Sequence, residues 1–249
     1  WLRYQDSPNT PDYAKRIGKS RYMTMGFIAD GLFQSEEEID RSPWISGSRP
    51  RVGDIKYKDL NGDGAITYDQ DRAYIGRGQR PQFNGSINLN ASWKGLEFDI
   101  LFIGAAVCDV SLTGTYYNHN EDNTIFTRPF KAGANSPRYL VEQAWTPENP
   151  DAKYPRLSLN PPNTNNAYAS SFWYRDGKYL RLKSVHLGYT LPKAWTGKLR
   201  IQKVKVYVEG NNLCTWSGLP EGIDPEWPGV TNGYYPQQRT VVGGLEISF

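Results

Sequence analysis

The chain has 249 residues, with 29 Lys and Arg against 26 Asp and Glu for a formal charge of +3, and is 38% hydrophobic and 14% aromatic. Its mean hydropathy of −0.65 and balanced charge read as an ordinary soluble protein and argue against a dedicated nucleic-acid binder or a disordered tail. No run approaches the roughly 18 apolar residues of a spanning helix, which excludes a helical membrane protein, while the excess of Trp, Tyr and Phe beside Gly and Pro favours strands and turns.

The chain starts at Trp1 with no initiator Met, basic n-region or apolar h-region, and so reads as a mature or truncated piece of something longer. Cys108 and Cys214 are too few for a disulfide framework and lack the paired spacing of a zinc site. Residues 1–82 read as a loop region with room for a strand or two. Ser35-Glu36-Glu37-Glu38 is a capping box opening a short helix. Asp59, Asn61 and Asp63 then have the i, i+2, i+4 spacing that points three oxygen side chains at one centre, with Gly64 for the sharp turn and the Ala65 carbonyl as a further ligand. The twelfth loop position is Gln70, so Asp69 or Asp71 must close the shell. The loop 59–71 is read as a structural calcium site; the bland alternative is an Asx-rich turn that binds nothing.

From Phe83 the pattern changes to period two. Gly85, Ile87, Leu89, Ala91 and Trp93 alternate with Asn84, Ser86, Asn88, Asn90 and Ser92; Lys94-Gly95 makes a tight turn; Leu96, Phe98, Ile100 and Phe102 then oppose Glu97 and Asp99. The spacing predicts strands over 83–93, 96–106, 179–191, 203–213 and 239–249. The 179–191 strand changes apolar parity partway, which calls for a bulge near Lys183-Ser184 or an upper half that leaves apolar surroundings. A short helix is expected at 138–144, with Ser136 as N-cap and Pro137 at its first position. These strands match the roughly 9–11 residues of a tilted membrane-crossing strand. Short connections alternate with the long polar loops 107–178 and 214–238, the pattern of a transmembrane barrel. One-sided burial in a soluble sandwich gives the same alternation.

In order along the chain, Ala29-Asp30-Gly31-Leu32-Phe33-Gln34, Gly53-Asp54-Ile55-Lys56-Tyr57, Asp59 to Gly64, Asp71-Arg72, Ile75-Gly76, Trp145 to Pro150, Tyr154-Pro155-Arg156, Tyr179 to Lys183, Leu187 to Pro192, Val206-Tyr207, Gly210 to Leu213, Thr215-Trp216 and terminal Phe249 resemble the C-terminal part of the SusC/RagA family of TonB-dependent outer-membrane transporters. The resemblance implies an all-β fold, the C-terminal strands of an antiparallel 22-stranded plugged barrel with long extracellular loops, the plug domain being absent from this chain. It further implies a multi-pass protein in the outer membrane of a Gram-negative, Bacteroidetes-like bacterium, importing oligosaccharides or peptides. A SusD-like surface lipoprotein is the implied partner, and TonB would engage a segment upstream.

On that topology Trp93, Tyr189 and Phe249 fall at the periplasmic interface and Leu245 and Ile247 face lipid, with Phe249 resembling the barrel-assembly signal. The loop aromatics Tyr116, Tyr117, Phe172, Trp173, Trp216 and Trp227 are candidates for stacking on a ligand or packing against the lid, against the ordinary alternative of loop packing. The rival class is a secreted, calcium-stabilised β-sandwich that binds carbohydrate. An enzyme is not expected: His119 and His186 are the only histidines, neither lies beside a candidate nucleophile, and no nucleic-acid partner is expected.

Overall fold

The computed structural model describes residues 5–78, 80–112, 137–158, 165–197, 201–226 and 237–249. Its contacts separate into two units, one of Trp1–Arg80, Asp109–Arg175 and Pro228–Tyr234, the other of Pro81–Cys108, Asp176–Trp227 and Tyr235–Phe249.

The first unit is built of small pieces. β1 (Thr24–Phe27) pairs antiparallel with β4 (Arg72–Ile75), and β2 (Ala29–Leu32) with β3 (Ile55–Tyr57). Helix α1 (Glu36–Arg41) begins as the capping box requires: Ser35 Oγ accepts from the Glu38 N–H at 3.1 Å. The Glu38 carboxylate reaches back to the N–H of Gln34, one residue before the cap, at 2.8 Å. Helix α2 (Arg138–Glu142) is a single turn in which Pro137 occupies the N-cap position itself and not the first helical position. The stretch 107–178 is more than loop, because β7 (Asp109–Ser111) pairs with β8 (Tyr174–Asp176). What makes a body of these fragments is a core of their own: Phe27, Phe33, Ile39, Ile55, Ile66, Leu140 and Trp173 are all essentially inaccessible, each burial contributing about 1.5–3 kcal/mol.

Motifs far apart in the chain meet in this unit. Gly53 has φ +89, and a Cβ there would lie 2.3 Å from the Trp145 indole and 2.9 Å from Arg156 Cβ. The Trp145 Nε1–H donates to Gln34 Oε1 at 3.1 Å. Beside this cluster, buried Asn165 donates to the Ile55 carbonyl at 2.8 Å, and Asn166 accepts from the Ile55 N–H and donates to Asp54 Oδ1. Tyr57 donates its hydroxyl proton to the Asn165 carbonyl at 2.6 Å, and burial pushes its pKa well above the usual phenol value. Asn165, Asn166 and Tyr57 are tolerated in this interior because each has a hydrogen-bond partner.

The second unit is one antiparallel sheet of five strands in the order β11-β10-β9-β6-β5. These are β5 (Phe83–Trp93), β6 (Leu96–Ala106), β9 (Tyr179–Thr190), β10 (Lys203–Ser217) and β11 (Thr240–Ser248). The β5–β6 hairpin has the expected bounds, and Lys94 and Gly95 both take positive φ, 47° and 90°, as the hairpin turn that matches strand twist demands. β10 runs four residues beyond its expected end at 213. The reason is a bulge: Asn211 pairs with Ser184 and Cys214 with Leu182, so Asn212 and Leu213 on one strand, and Lys183 on the other, drop out of register. The same step separates Leu101–Ser184 from Phe102–Leu182. The bulge explains the parity change in β9, since skipping Lys183 keeps Leu180, Leu182, Val185, Leu187 and Tyr189 on one face.

Candidate functional site

The functional feature of the second unit is the partition of its two faces, fixed by register. Directly opposed residues share a face. One face carries the rows Trp93–Leu96–Tyr189–Val206–Leu245, Ala91–Phe98–Leu187–Val208–Gly243 and Leu89–Ile100–Val185–Gly210–Val241. The other carries Ser92–Glu97–Gly188–Tyr207–Gly244, Asn90–Asp99–His186–Glu209–Val242 and Asn88–Leu101–Ser184–Asn211–Thr240. The apolar face is not covered: Leu89 is 51% exposed, Val208 50% and Leu245 61%. A sandwich would bury these side chains under a second sheet, whereas a broad exposed apolar surface marks contact with a membrane or a partner.

The polar face is tied together across its strands. Lys205 pairs with the Glu97 carboxylate, Lys203 with Glu246 at 3.7 Å, and His186 stacks on Tyr207 with ring centroids 5.4 Å apart. Tyr207 lies over Gly244, where any Cβ would sit 2.2 Å from its ring, so the glycine serves as a slot for an aromatic neighbour.

Aromatic residues bracket the apolar face at both ends. Trp93, 67% exposed, lies at the short-turn end, where Lys94 Nζ sits 4.7 Å from its ring centroid. Tyr189 shares its row, and Phe249, 81% exposed, follows Leu245 and Ile247 by parity just past β11. At the other end stand Phe83 and Trp216. Trp216, proposed above as a ligand or lid contact, pairs with Leu180 and therefore belongs to the apolar face, because β10 continues past 213 and its two-residue bulge keeps the even-numbered residues on that face. From Phe83 to Trp93, an 11-residue strand, the rise of about 3.3 Å per residue gives about 33 Å; at a tilt near 40° that projects to roughly 25 Å, the height of the apolar band of outer-membrane barrels.

The remaining loop aromatics sort differently. Trp173 is fully buried, its Nε1–H donating to the Asn166 carbonyl at 2.8 Å, so it is a core residue and no ligand contact. Phe172 packs edge-on against it at 5.0 Å. Tyr116, Tyr117 and Trp227 lie outside the described residues.

In the acidic loop Asp59, Asn61 and Asp63 fall on one turn. Asp59 accepts from the N–H groups of Gly62 at 2.7 Å and Gly64 at 2.8 Å, and Asp63 from the Ala65 N–H at 2.9 Å and the Asn61 amide at 2.8 Å. The Gly64 N–H, then Gly62 and its neighbours, hold the Asp59 carboxyl below the usual carboxylate range. The sign follows: the closed turn persists above that range and opens only as pH falls below it, which an NMR titration of the Gly64 amide would follow. Asp71 is fully buried and does separate work, accepting from the Leu60 and Thr67 N–H groups at 2.9 and 2.7 Å, one on each oxygen. Asp69 is exposed. Among the described residues no three His, Cys, Asp or Glu side chains converge into a metal-holding cluster. The oxygen chemistry of Asp59, Asn61 and Asp63 suits a hard cation once the two carboxylates and the Asn61 amide oxygen turn from the backbone, but Asp71 as placed is committed to protein donors.

A sheet of long strands with one exposed apolar face, aromatic ends and a charged opposite face defines a segment of membrane-barrel type. No family model matches the chain. Two TonB-dependent receptors of Formosa agariphila are 32% and 29% identical to it, each over 94% of this chain, and the chain spans about 23% of their length. Among solved structures, the RagAB peptide importer in its open-open state shares the fold with a TM-score of 0.58 at 22% identity, covering 91% of this chain and 22% of that one. The closed-closed state gives 0.57 over 91% and 23%. Over 94% of its length the chain is thus similar to a partial, C-terminal-like stretch of TonB-dependent receptors, and it shares its fold with the corresponding part of the RagAB importer. Its relatives are receptors and importers, not enzymes.

Proposed function

We propose that the five-stranded sheet is a section of the wall of a plugged, 22-stranded outer-membrane barrel that imports oligosaccharides or peptides. The apolar face meets lipid, with Leu245 and Ile247 in contact with acyl chains and Trp93, Tyr189 and Phe249 at the short-connection interface. The polar face lines the passage. A SusD-like lipoprotein covers the mouth formed by the long connections, and TonB energises transport through another part of the whole protein. The observation that carries this reading is the row-by-row division of the sheet into an uncovered apolar face and a mainly polar one with cross-strand ion pairs. Relatives named as TonB-dependent receptors and a peptide importer support it. The intact receptor is expected to stay with the outer-membrane fraction through salt and alkaline washes and to leave it only in detergent; recovery as a monodisperse water-soluble protein without detergent would contradict the proposal.

The loop around Asp59, Asn61 and Asp63 is proposed to take calcium as a structural ion, with Asp69 the carboxylate free to close the shell. Calcium is then expected to protect the 59–71 segment of the intact receptor from proteolysis, and D59N/D63N to abolish that protection; equal cleavage with calcium and with chelator would remove the ion from the account.

A further inference from the structure

We propose that Arg181 is a positioning residue for import: it pins the connection leaving β10 across the polar face, and so limits the size of molecule that reaches that face. The inference rests on the importer reading above. Arg181 stands in β9 opposite Ile103 and Thr215, between Leu180 and Leu182 of the apolar face, and so belongs to the polar face near the end from which the long connections leave. It is 2% exposed. Its Nε–H donates to Thr215 Oγ1 at 2.8 Å, Nη2 lies 2.8 Å from Asp224 Oδ1, and Nη1 lies 2.8 Å from Glu226 Oε1. Lys183, the bulged residue, adds a second cation 3.6 Å from Glu226 Oε2. Two cations of the wall thus face two carboxylates of the segment 218–226.

That segment is shaped to deliver them. Leu219 N–H donates to Ser217 Oγ at 3.1 Å, Ile223 N–H to the Pro220 carbonyl at 3.2 Å, and Glu226 N–H to Asp224 Oδ1 at 2.8 Å. The Nη2–H bond to Asp224 is a directional, charge-assisted contact, and Glu226 adds a close ion pair to the same guanidinium without hydrogen-bond geometry. Because the Arg181 and Asp224 side chains are buried, salt screens that pair little, and separating one partner leaves an uncompensated charge. A strand needs no buried arginine to pair with its neighbours; this one serves the connection.

The test uses the intact receptor in membranes, otherwise free of cysteine, with Ser184→Cys on the polar row directly below Arg181 as reporter. A small water-soluble thiol reagent and a bulky polyethylene-glycol maleimide are compared. With the latch intact the small reagent labels readily and the bulky one slowly. In D224N/E226Q, which leaves the strands untouched, the bulky rate is expected to rise about tenfold with the small rate unchanged; R181Q is expected to match it and R181K to restore part of the exclusion. An unchanged ratio of bulky to small labelling in the double variant overturns the proposal. Labelling of the reporter only by a lipid-partitioning maleimide would instead bring down the importer reading, and the proposal with it.

Discussion

Replacing Gly53 by alanine is expected to destabilise the first unit by about 3 kcal/mol or more, combining the cost of a left-handed conformation in a non-glycine residue with overpacking of a filled core. The new methyl would sit 2.3 Å from the Trp145 indole, at φ +89, with Arg156 blocking its other side. Neither neighbour has room to retreat: Trp145 is nearly buried and tethered to Gln34. Gly62→Ala is the control. Gly62 also has positive φ, +75, but a Cβ there meets nothing within 4 Å, so only the backbone term of about 1 kcal/mol remains. In limited proteolysis of the intact receptor the Gly53 variant should be cut rapidly within residues 5–78 while the Gly62 variant resembles the parent; equal resistance of the two would show that the Trp145 contact does not hold the unit together.

The second large effect concerns the lipid face. Ile100 lies in the middle of the sheet, in the row Leu89–Ile100–Val185. An arginine there places charge near the centre of the bilayer at a cost of about 2–4 kcal/mol, and Ile100→Arg is expected to reduce the amount of folded receptor in the outer membrane severalfold. Asn90→Arg, on β5 one residue beyond Leu89, the partner of Ile100, but on the other face, sets the guanidinium opposite Asp99. It should leave folded receptor near the parental level. The pair isolates the face, because both variants add the same side chain to the same hairpin; heat-modifiable migration on a gel measures folded and unfolded receptor directly.

How far these features were legible beforehand depends on how local they are. The hairpin from Phe83 to Ala106 follows from alternation and one turn, both short-range, and its bounds are those expected. β9 announced its bulge through a parity change, but the answering bulge in β10 is hidden, since Gly210-Asn211-Asn212-Leu213 mixes polar and apolar residues without a clear period. That is why the end of β10 needed the pairing of strands, whereas the face of Trp216 continues the even parity of Val204, Val206 and Val208, which a two-residue bulge preserves. Trp173 shows a further limit: whether a loop aromatic is buried depends on partners such as Asn166 and on the core around Phe27, not on its neighbours in sequence. Gln34, Gly53, Trp145 and Arg156 could be noticed only as scattered pieces of a family pattern; their meeting in one cluster is what gives the pattern a physical cause. Arg181 sits within one of those pieces, and only the position of Asp224 and Glu226 reveals its role.

The most direct test of the wall assignment is a nitroxide scan along β10 of the intact receptor in bilayers, from residue 203 to 217. Labels at Val204, Val206 and Val208 are predicted to be relaxed by oxygen and shielded from a water-soluble nickel complex, and labels at Lys205, Tyr207 and Glu209 the reverse. Beyond the two-residue bulge the oxygen side should stay with the even positions, Cys214 and Trp216, with Thr215 on the water side. A scan without period two, or with the valines exposed to the nickel complex, would contradict the account.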